Sequence, residues 1–350
     1  MKIGYLLDTH GGPYDQPTPN RDRVSAFADQ LLEEADLAEA GGFHSIVVPE
    51  RHGRTECMFP SPLILLSALA PRTSNARLGT YICIPPLYNP MHLAEQFAMV
   101  DQLSRGRVIV GIASGYHSGY HDFVDVPFKE RGARFEESYE IMMRAWTEDK
   151  FSYDGKFWKF KDVRLTPKPY QQPRPEIWVG GMFPKTIARA GRLGDAWCSD
   201  PFPLDPTIWN AQVKTYRDEA RKHGNKSMVV LMRDGWVSRR REESDEVFLD
   251  LAIQEWLFYY RWGILTHHPE FQKESDFTRD RARKHFITGT PAECIRQAQR
   301  YGSEFDADYL IMRFRLPAGP ERQKVLDCLK LWGKEVMPAF PLQPQAGVSA

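Results

Sequence analysis

The chain has 350 residues, of which 42% are hydrophobic, and it carries 46 basic and 46 acidic side chains. This length is enough for one large domain or two small ones. Because the charges balance, we do not expect a polyanion such as nucleic acid to be the main partner.

The sequence shows no targeting or membrane-spanning signal and no disulfide pattern. It turns polar at Asp8, which does not fit a signal peptide, and no apolar run approaches the roughly 20 residues that cross a bilayer. The five cysteines are scattered and form no C-x-x-C pair, so we expect free thiols in a reducing compartment. We therefore expect a cytoplasmic protein without a membrane partner.

Short β-branched runs alternate along the chain with amphipathic helical stretches. The predicted strands span residues 2–7, 45–49, 76–84, 108–113, 176–181, 195–199, 228–232 and 308–314. The predicted helices span residues 23–40, 62–70, 91–103, 131–146, 185–190, 207–222, 245–260, 291–300 and 323–336. Because the early strands are apolar on both faces, the pattern predicts a parallel sheet covered by helices. At this length the eight strands indicate an α/β fold with a single closed (β/α)8 TIM-like barrel, and a doubly wound open sheet is the alternative.

Two insertions interrupt the alternation. Residues 151–160 resemble a β-hairpin, and residues 262–277 form a long loop ahead of the last strand. This loop contains Trp262 and a His267–His268 pair, and it lies where a lid over the barrel would be. Since no linker divides the chain, we predict one barrel domain over residues 1–337 and a frayed tail over residues 338–350.

Ionisable and small residues follow the predicted strands, where a barrel of this class builds its active site. They are Asp8 and His10 after the first strand, Glu50, Arg51 and His52 after the second, Ser114, Gly115, Tyr116 and His117 after the fourth, Gly180, Gly181 and Met182 after the fifth, and Asp200 after the sixth. For the second strand, a surface salt bridge between Glu50 and Arg51 or Arg54 is the alternative to a functional role.

One chemistry open to these residues is metal-dependent hydrolysis. His117 and His121 are four residues apart, Asp122 follows them, and His10 could approach from across the barrel. Two glycines in this stretch make a helix unlikely, so we expect a polar loop and no metal.

A second possible role of these residues is to bind a phosphate-bearing cofactor. Gly180 and Gly181 lie between a strand and a helix start, where backbone N–H groups and the helix dipole can hold a phosphate. The stretch 111–117 has the same small-residue character, and Ser114 adds a hydroxyl donor. Neither stretch matches the Rossmann or P-loop pattern. A third possibility is a barrel that binds a ligand or a partner subunit without catalysis.

Several strings then resemble one known family. These are PERH (49–52), the segment from LGTYICIPP to GIASGYH (78–117), and the segment from PKPYQQPRP to LGDAW (167–197). Together with GTPAEC (289–294), they are similar to the luciferase-like flavin monooxygenases, which include the bacterial luciferases. The resemblance covers about residues 1–335 and is weakest between residues 200 and 285.

This resemblance implies a TIM-like barrel that binds reduced FMN supplied by a separate flavin reductase. The flavin would react with O2 to a (hydro)peroxide that oxidises a small organic substrate. Relatives on the same barrel use a deazaflavin coenzyme instead, so a deazaflavin-dependent oxidoreductase is the alternative. The family commonly pairs through its early helices, which implies a homodimer.

The resemblance also implies cofactor-binding residues. Ser114, Gly115 and Tyr116 would lie on one side of the flavin phosphate, and Gly180, Gly181 and Met182 on the other. Ser114 stands where luciferases place a phosphate-binding arginine, so the contact would depend more on backbone and hydroxyl donors. Thr80, Tyr81 and Ile82 would lie beside the flavin ring, where relatives have an unusual cis peptide. We expect apolar walls from aromatic residues near strand ends, which are Tyr5, Phe59, Tyr81, Tyr88, Tyr116 and Trp178.

The PERH string departs from the family's E-H-H motif at its first histidine, which is Arg51 here. An arginine cannot act as a base at neutral pH, but it can hold an anionic flavin peroxide or a substrate carboxylate. His52 then becomes the predicted acid/base group, with Glu50 orienting it or pairing with Arg51. His10 and His117 are the predicted substrate contacts.

Overall fold

The computed structural model describes residues 1–265 and 268–341. His267 of the predicted lid and most of the predicted tail lie outside the described residues. Within these ranges no helix is both long enough and apolar enough to cross a membrane.

Eight parallel strands close into a barrel in the order β1-β2-β3-β4-β7-β8-β9-β11, with β11 paired back to β1 and β8 paired to β9. The strands are β1 (Lys2–Leu6), β2 (Ser45–Val48), β3 (Arg77–Thr80), β4 (Val108–Ile112), β5 (Phe151–Asp154), β6 (Lys159–Val163), β7 (Glu176–Gly180), β8 (Ala196–Cys198), β9 (Met228–Val237), β10 (Ile287–Gly289) and β11 (Tyr309–Arg313). The closed ring confirms the (β/α)8 prediction and excludes the open sheet.

Helices cover the outside of the ring. They are α1 (Arg21–Ala40), α2 (Pro62–Leu69), α3 (Pro90–Ser104), α4 (Ser118–Asp122), α5 (Arg131–Thr147), α6 (Pro184–Leu193), α7 (Pro206–Lys222), α8 (Arg241–Arg261), α9 (Arg279–Arg283), α10 (Pro291–Glu304) and α11 (Arg322–Glu335). Five of them begin with proline, whose missing N–H costs nothing in a first helical turn.

Alternating side chains give each barrel strand two buried faces. Leu6 and Val47 point into the barrel, whereas Tyr5 and Val48 point outward beneath the helices. All four residues are at most 1% exposed. This double burial explains why the early strands are continuously apolar.

Several elements differ from the predicted bounds. β9 continues five residues past 232, and its extra length pairs with β10, a strand that the sequence did not predict. α4 is a single helical turn within the stretch predicted to be a loop, so that prediction is wrong. β5 and β6 form the predicted hairpin, which extends to Val163.

The long insertion after α8 is anchored at two points. Phe271 and Phe277 are buried in the hydrophobic core, at 0% and 7% exposure, whereas Trp262 packs on His117 with a 4.7 Å ring separation. Near the end of the chain, Met337–Ala339 form a 3-10 turn and Phe340 is buried. The described part of the predicted tail therefore packs against the barrel.

Candidate functional site

A cavity of about 1300 Å³, including its open mouth, lies at the carboxyl ends of the barrel strands. This is the end where barrels of this class place their active sites. Ten of the predicted site residues line it, and they are Glu50, Arg51, Tyr81, Ile82, Ser114, Gly115, Tyr116, Gly180, Gly181 and Met182. The structure thus brings the ends of β2, β3, β4 and β7 together around one space.

Four predicted site residues do not line this cavity, and they are Thr80, His10, His52 and His117. The Thr80 side chain points to the neighbouring strand, where its hydroxyl accepts a hydrogen bond from the Gly111 N–H at 3.0 Å. Thr80 therefore joins β3 to β4. The Tyr81–Ile82 peptide bond is cis, as the resemblance implied.

Of the six aromatic residues predicted as walls, Tyr81 and Tyr116 line the cavity. Tyr5 lies outside the barrel, where its hydroxyl donates to Glu34 at 2.7 Å. Trp178 fills the barrel interior beside Tyr309. Residue alternation along a strand decides which of these rings face inward, and the sequence alone does not give its phase.

Two small-residue turns form one side of the cavity. A Cβ on Gly180 would collide with Ile82, and a Cβ on Gly181 would lie 2.7 Å from the Thr186 backbone. Gly115 has φ +80°, a conformation that favours glycine. These turns allow a ligand to approach the backbone closely beside the start of α6, where the positive end of the helix dipole suits an anion.

Arg131, the first residue of α5, lines the cavity with these turns. Its guanidinium lies over the Phe128 ring at 3.8 Å and donates to the Phe128 carbonyl at 3.0 Å. None of the described carboxylates lies within ion-pair distance of it, and burial together with the nearby Arg189 lowers its pKa. A charged donor is thus present where the sequence predicted mainly backbone and hydroxyl donors. In the sequence, this donor was indicated by a single arginine at the start of the helix that follows the loop after the fourth strand.

The residues of PERH separate into two groups. The Glu50 carboxylate accepts hydrogen bonds from His52 Nε2 at 2.7 Å, the Tyr88 hydroxyl at 2.8 Å and the Ile84 N–H at 2.8 Å. Arg51 instead pairs with Asp8, Nη1 to Oδ1, at 2.9 Å. A Glu50–Arg51 or Glu50–Arg54 salt bridge is therefore wrong, and His52 lies behind the cavity wall.

Ion pairs inside the barrel support the cavity floor. Arg313 donates to both carboxylate oxygens of Asp234, at 2.6 and 2.9 Å, and lies 3.3 Å from both Asp8 and Glu255. Burial raises the pKa of Glu255, whereas Arg51 overcomes burial and holds the pKa of Asp8 well below its usual range. A charged residue within the apolar last strand was the sequence signal for this network.

The histidines weighed as candidate metal ligands do not come together among the described residues. His117 packs on Trp262, and His121 is buried 5.3 Å from the Phe128 ring, measured between centroids. His10 is fully buried beside Asp8, and burial together with Arg51 lowers its pKa to about 3.

Around His10, the described residues do contain one group with metal-ligating atoms within 4.8 Å of one another, which is His10, Glu56 and Cys57. Burial raises the pKa of the Cys57 thiol to about 12. Arg51 and Arg54 add positive charge beside the group. A neutral thiol beside two guanidiniums is a poor cation site.

The remaining wall comes from Asp200, which follows the sixth predicted strand, and from residues that the sequence did not assign. Tyr259 and Ile264 from the end of α8 and the following turn, and Met232 from β9, line the cavity with Asp200. Burial raises the pKa of Asp200 to about 6. The sequence of a long helix such as α8 does not show whether an aromatic side chain such as Tyr259 faces a cavity or the core.

The closed barrel and its cavity define a TIM-barrel enzyme. The family model for luciferase-like monooxygenases matches residues 1–306, so the chain belongs to the luciferase-like monooxygenase family. This confirms the family and fold that the sequence indicated.

The chain is also similar to individual proteins. The chain is 26% identical over 337 residues to the oxygenase component of flavin-dependent trigonelline monooxygenase from Acinetobacter baylyi, covering 89% of each chain. It is 34% identical over 180 residues to F420-dependent glucose-6-phosphate dehydrogenase from Segniliparus rotundus, covering 48% of this chain and 52% of that one. Its fold matches the oxygenating constituent of 3,6-diketocamphane monooxygenase from Pseudomonas putida, solved with FMN. That match has a TM-score of 0.80 and 18% identity, covering 98% of this chain and 99% of the other.

Proposed function

We propose that the protein is the oxygenase component of a two-component monooxygenase. It takes reduced FMN from a separate reductase and uses O2 to oxidise a small organic substrate. The observation that carries this proposal is a cavity with two small-residue turns and, on the same side, the guanidinium of Arg131, which has no carboxylate partner among the described residues. Family membership and the relative named as an oxygenase component support it.

The turns and Arg131 fit the phosphate of FMN. A doubly charged phosphate needs cationic and N–H donors without competing carboxylates. Arg131, the Ser114 hydroxyl and the backbone around Gly181 supply such donors in one part of the cavity. These residues would hold the phosphate.

The apolar part of the cavity fits the flavin ring. Its apolar lining includes Ile82, Cys198, Phe202, Met232 and Ile264. Bound reduced FMN supplies the electrons with which O2 is activated. The apolar walls keep water away from that chemistry.

Glu50, Arg51 and His52 would act at the substrate side of the same cavity. Arg51 lines the wall directly, and Glu50 does so with its carboxylate held by three donors. His52 would work as a positioning residue that holds the orientation of the Glu50 carboxylate. The Tyr88 hydroxyl donates to the same carboxylate and would help His52 to orient it.

The deazaflavin alternative is supported by the relative named as F420-dependent. Anaerobic titration with reduced FMN, followed by rapid mixing with oxygenated buffer, separates the two. Saturable binding and a transient absorbance distinct from oxidised FMN would support the monooxygenase. Binding of the reduced deazaflavin coenzyme with no affinity for reduced FMN would overturn it.

We extend the proposal to a cytoplasmic homodimer. α2 and α3 pack together and expose large apolar side chains, with Ile64 at 74%, Met99 at 52% and Leu103 at 57%. Such a patch is typical of a protein interface. Light scattering on the purified protein tests it, and Leu103→Glu should shift the mass to that of a monomer.

A further inference from the structure

The barrel places a second cationic group away from the phosphate turns. In the ring of strands, β11 and β1 lie across the barrel from β4 and β7, which carry the small-residue turns, and β2 lies beside β1 with β3 between it and β4. Arg51 follows β2 and Arg313 belongs to β11, and both line the cavity. The cavity therefore has a cationic end besides the one at Arg131.

Arg313 is fully occupied by carboxylates, but Arg51 is not. Arg313 lies within 3.3 Å of Asp234, Asp8 and Glu255. Arg51 uses one Nη to donate to Asp8 at 2.9 Å, its one hydrogen bond to the described part of the chain. Its remaining N–H groups are available to a ligand in the cavity that it lines. A guanidinium has five donors in a planar fork, which matches a carboxylate.

Two tyrosine hydroxyls accompany Arg51. Tyr116 and Tyr259 line the cavity with Arg51, and both lie close enough to the guanidinium to act on its pKa. The Tyr116 side chain is 45% exposed, so an incoming ligand can reach it. Burial raises the pKa of both hydroxyls, to about 12 for Tyr259, so both keep their protons and can donate.

Few acidic side chains line the cavity, so its electrostatics are compatible with a bound anion. Among the described lining residues, the acidic ones are Glu50 and Asp200. Glu50 already accepts three hydrogen bonds, and burial moves the pKa of Asp200 towards neutrality, to about 6. Neither carboxyl is ion-paired with Arg51. With the phosphate assigned to Arg131, one guanidinium with free donors remains.

We propose that Arg51, Tyr116 and Tyr259 bind the carboxylate of the organic substrate, so that the protein oxidises a carboxylic acid with an apolar body. This inference rests on the proposed function, since it names the substrate class of the same cavity. The apolar body would lie against Ile84 and Ile264.

Matched ligand pairs test the carboxylate preference on the unaltered protein. The probes are nicotinate with nicotinamide and cyclohexanecarboxylate with its carboxamide, measured by calorimetry with and without FMN. We expect the acid of at least one pair to bind about tenfold or more tightly than its amide, because a charge-assisted bidentate contact is lost. Equal binding of acid and amide in both pairs, or no binding of any acid, would overturn the inference.

Variants then assign the contact to the three residues. Arg51→Gln should abolish the preference for the acid, Tyr259→Phe should weaken acid binding several-fold, and neither should change the affinity for reduced FMN. Arg131→Gln is the matched control: it should weaken FMN binding and keep the acid preference. Loss of FMN affinity in Arg51→Gln would place Arg51 at the cofactor and overturn the assignment. Tyr259→Phe keeps the test informative if Arg51→Gln does not fold.

The two proposals fail in different ways. If reduced FMN does not bind but the acid preference holds, the cofactor proposal is wrong and the anion site remains. If reduced FMN binds and reacts with O2 while acids and amides bind alike, the substrate class is wrong and the monooxygenase proposal stands.

Discussion

Arg313 and Asp234 form a two-bonded ion pair inside the barrel, on the neighbouring strands β11 and β9. Both side chains are at most 2% exposed. Removing the arginine leaves buried carboxylates without their partner, so we expect Arg313→Met to lower the free energy of unfolding by about 3–5 kcal/mol. Urea denaturation measures this. Arg322→Met, which breaks an exposed pair with Glu33, should cost about 1 kcal/mol or less. Similar losses in both variants would contradict a supporting role for the buried pair.

Arg131→Gln should weaken the binding of reduced FMN about tenfold or more, since a charge-assisted contact to phosphate is lost. The thermal unfolding midpoint should change little, because Arg131 has no ion pair to lose within the described residues. Arg134→Gln, one turn later on α5 and paired with Glu130, is the matched control and should keep full affinity. Anaerobic fluorescence titration compares them. Unchanged affinity in Arg131→Gln would remove it from the phosphate site.

Gly180→Ala should reduce FMN binding, because its Cβ would collide with the Ile82 side chain. Shortening that neighbour in Gly180→Ala/Ile82→Ala should restore part of the affinity, and the Ile82→Ala single variant completes the cycle. The same titration measures all four proteins. A double variant no better than Gly180→Ala would show that the backbone, and not the Ile82 contact, sets the requirement for glycine.

His52→Ala should lower turnover much more than FMN affinity, because His52 donates to Glu50 and does not line the cavity. As a positioning residue it should also shift the pH dependence of turnover, since the charge on Glu50 then lacks one of its three donors. Tyr88→Phe removes another donor to the same carboxylate and should shift the profile similarly. Steady-state rates across the pH range measure this. A fall in turnover without any change of profile would favour a merely structural role.

Acid should destabilise the protein between about pH 6.5 and pH 4. Burial lowers the pKa of His10 to about 3 and that of His285 to about 4, so the folded state resists protonation that the unfolded chain accepts. The stability contributed by these two neutral histidines is fully present above the pKa that histidine has in the unfolded chain. It is lost as the pH falls towards the lower pKa values of the folded state. Each group contributes a slope of up to about 1.4 kcal/mol per pH unit. Urea denaturation at several pH values should show a smaller slope for His10→Gln. A slope equal to that of the unaltered protein would contradict this contribution of His10.

The barrel was predictable because its strands are buried on both faces and therefore apolar throughout. β10 was not predictable, because a strand of three residues is too short to show an apolar pattern. The second half of β9 was not predictable either, because Arg233 and Asp234 interrupt its apolar pattern. The small-residue turns at Gly115 and Gly180 were predictable because the local backbone conformation or the lack of space for a Cβ requires glycine there.

Side-chain direction was the harder part of the site. His52 turns away from the cavity because its Nε2 hydrogen-bonds to Glu50, which is itself held by Tyr88 and Ile84 from a distant part of the sequence. Thr80 is diverted by its contact with Gly111 on the adjoining strand. Such contacts form between residues that are remote in sequence, so neither motif nor period reveals them.

The pairing of the first strand with the last one governs how the chain must be made. Lys2 pairs with Tyr309, so the ring cannot close until almost the whole polypeptide has been synthesised. At ribosomal rates of roughly 5–20 residues per second, β1 waits roughly 15–60 s for its partner. During that time the nascent protein presents an unpaired strand edge and apolar faces to chaperones and to other chains. A chain cut short before residue 309 is therefore not a smaller barrel but an open sheet prone to aggregation.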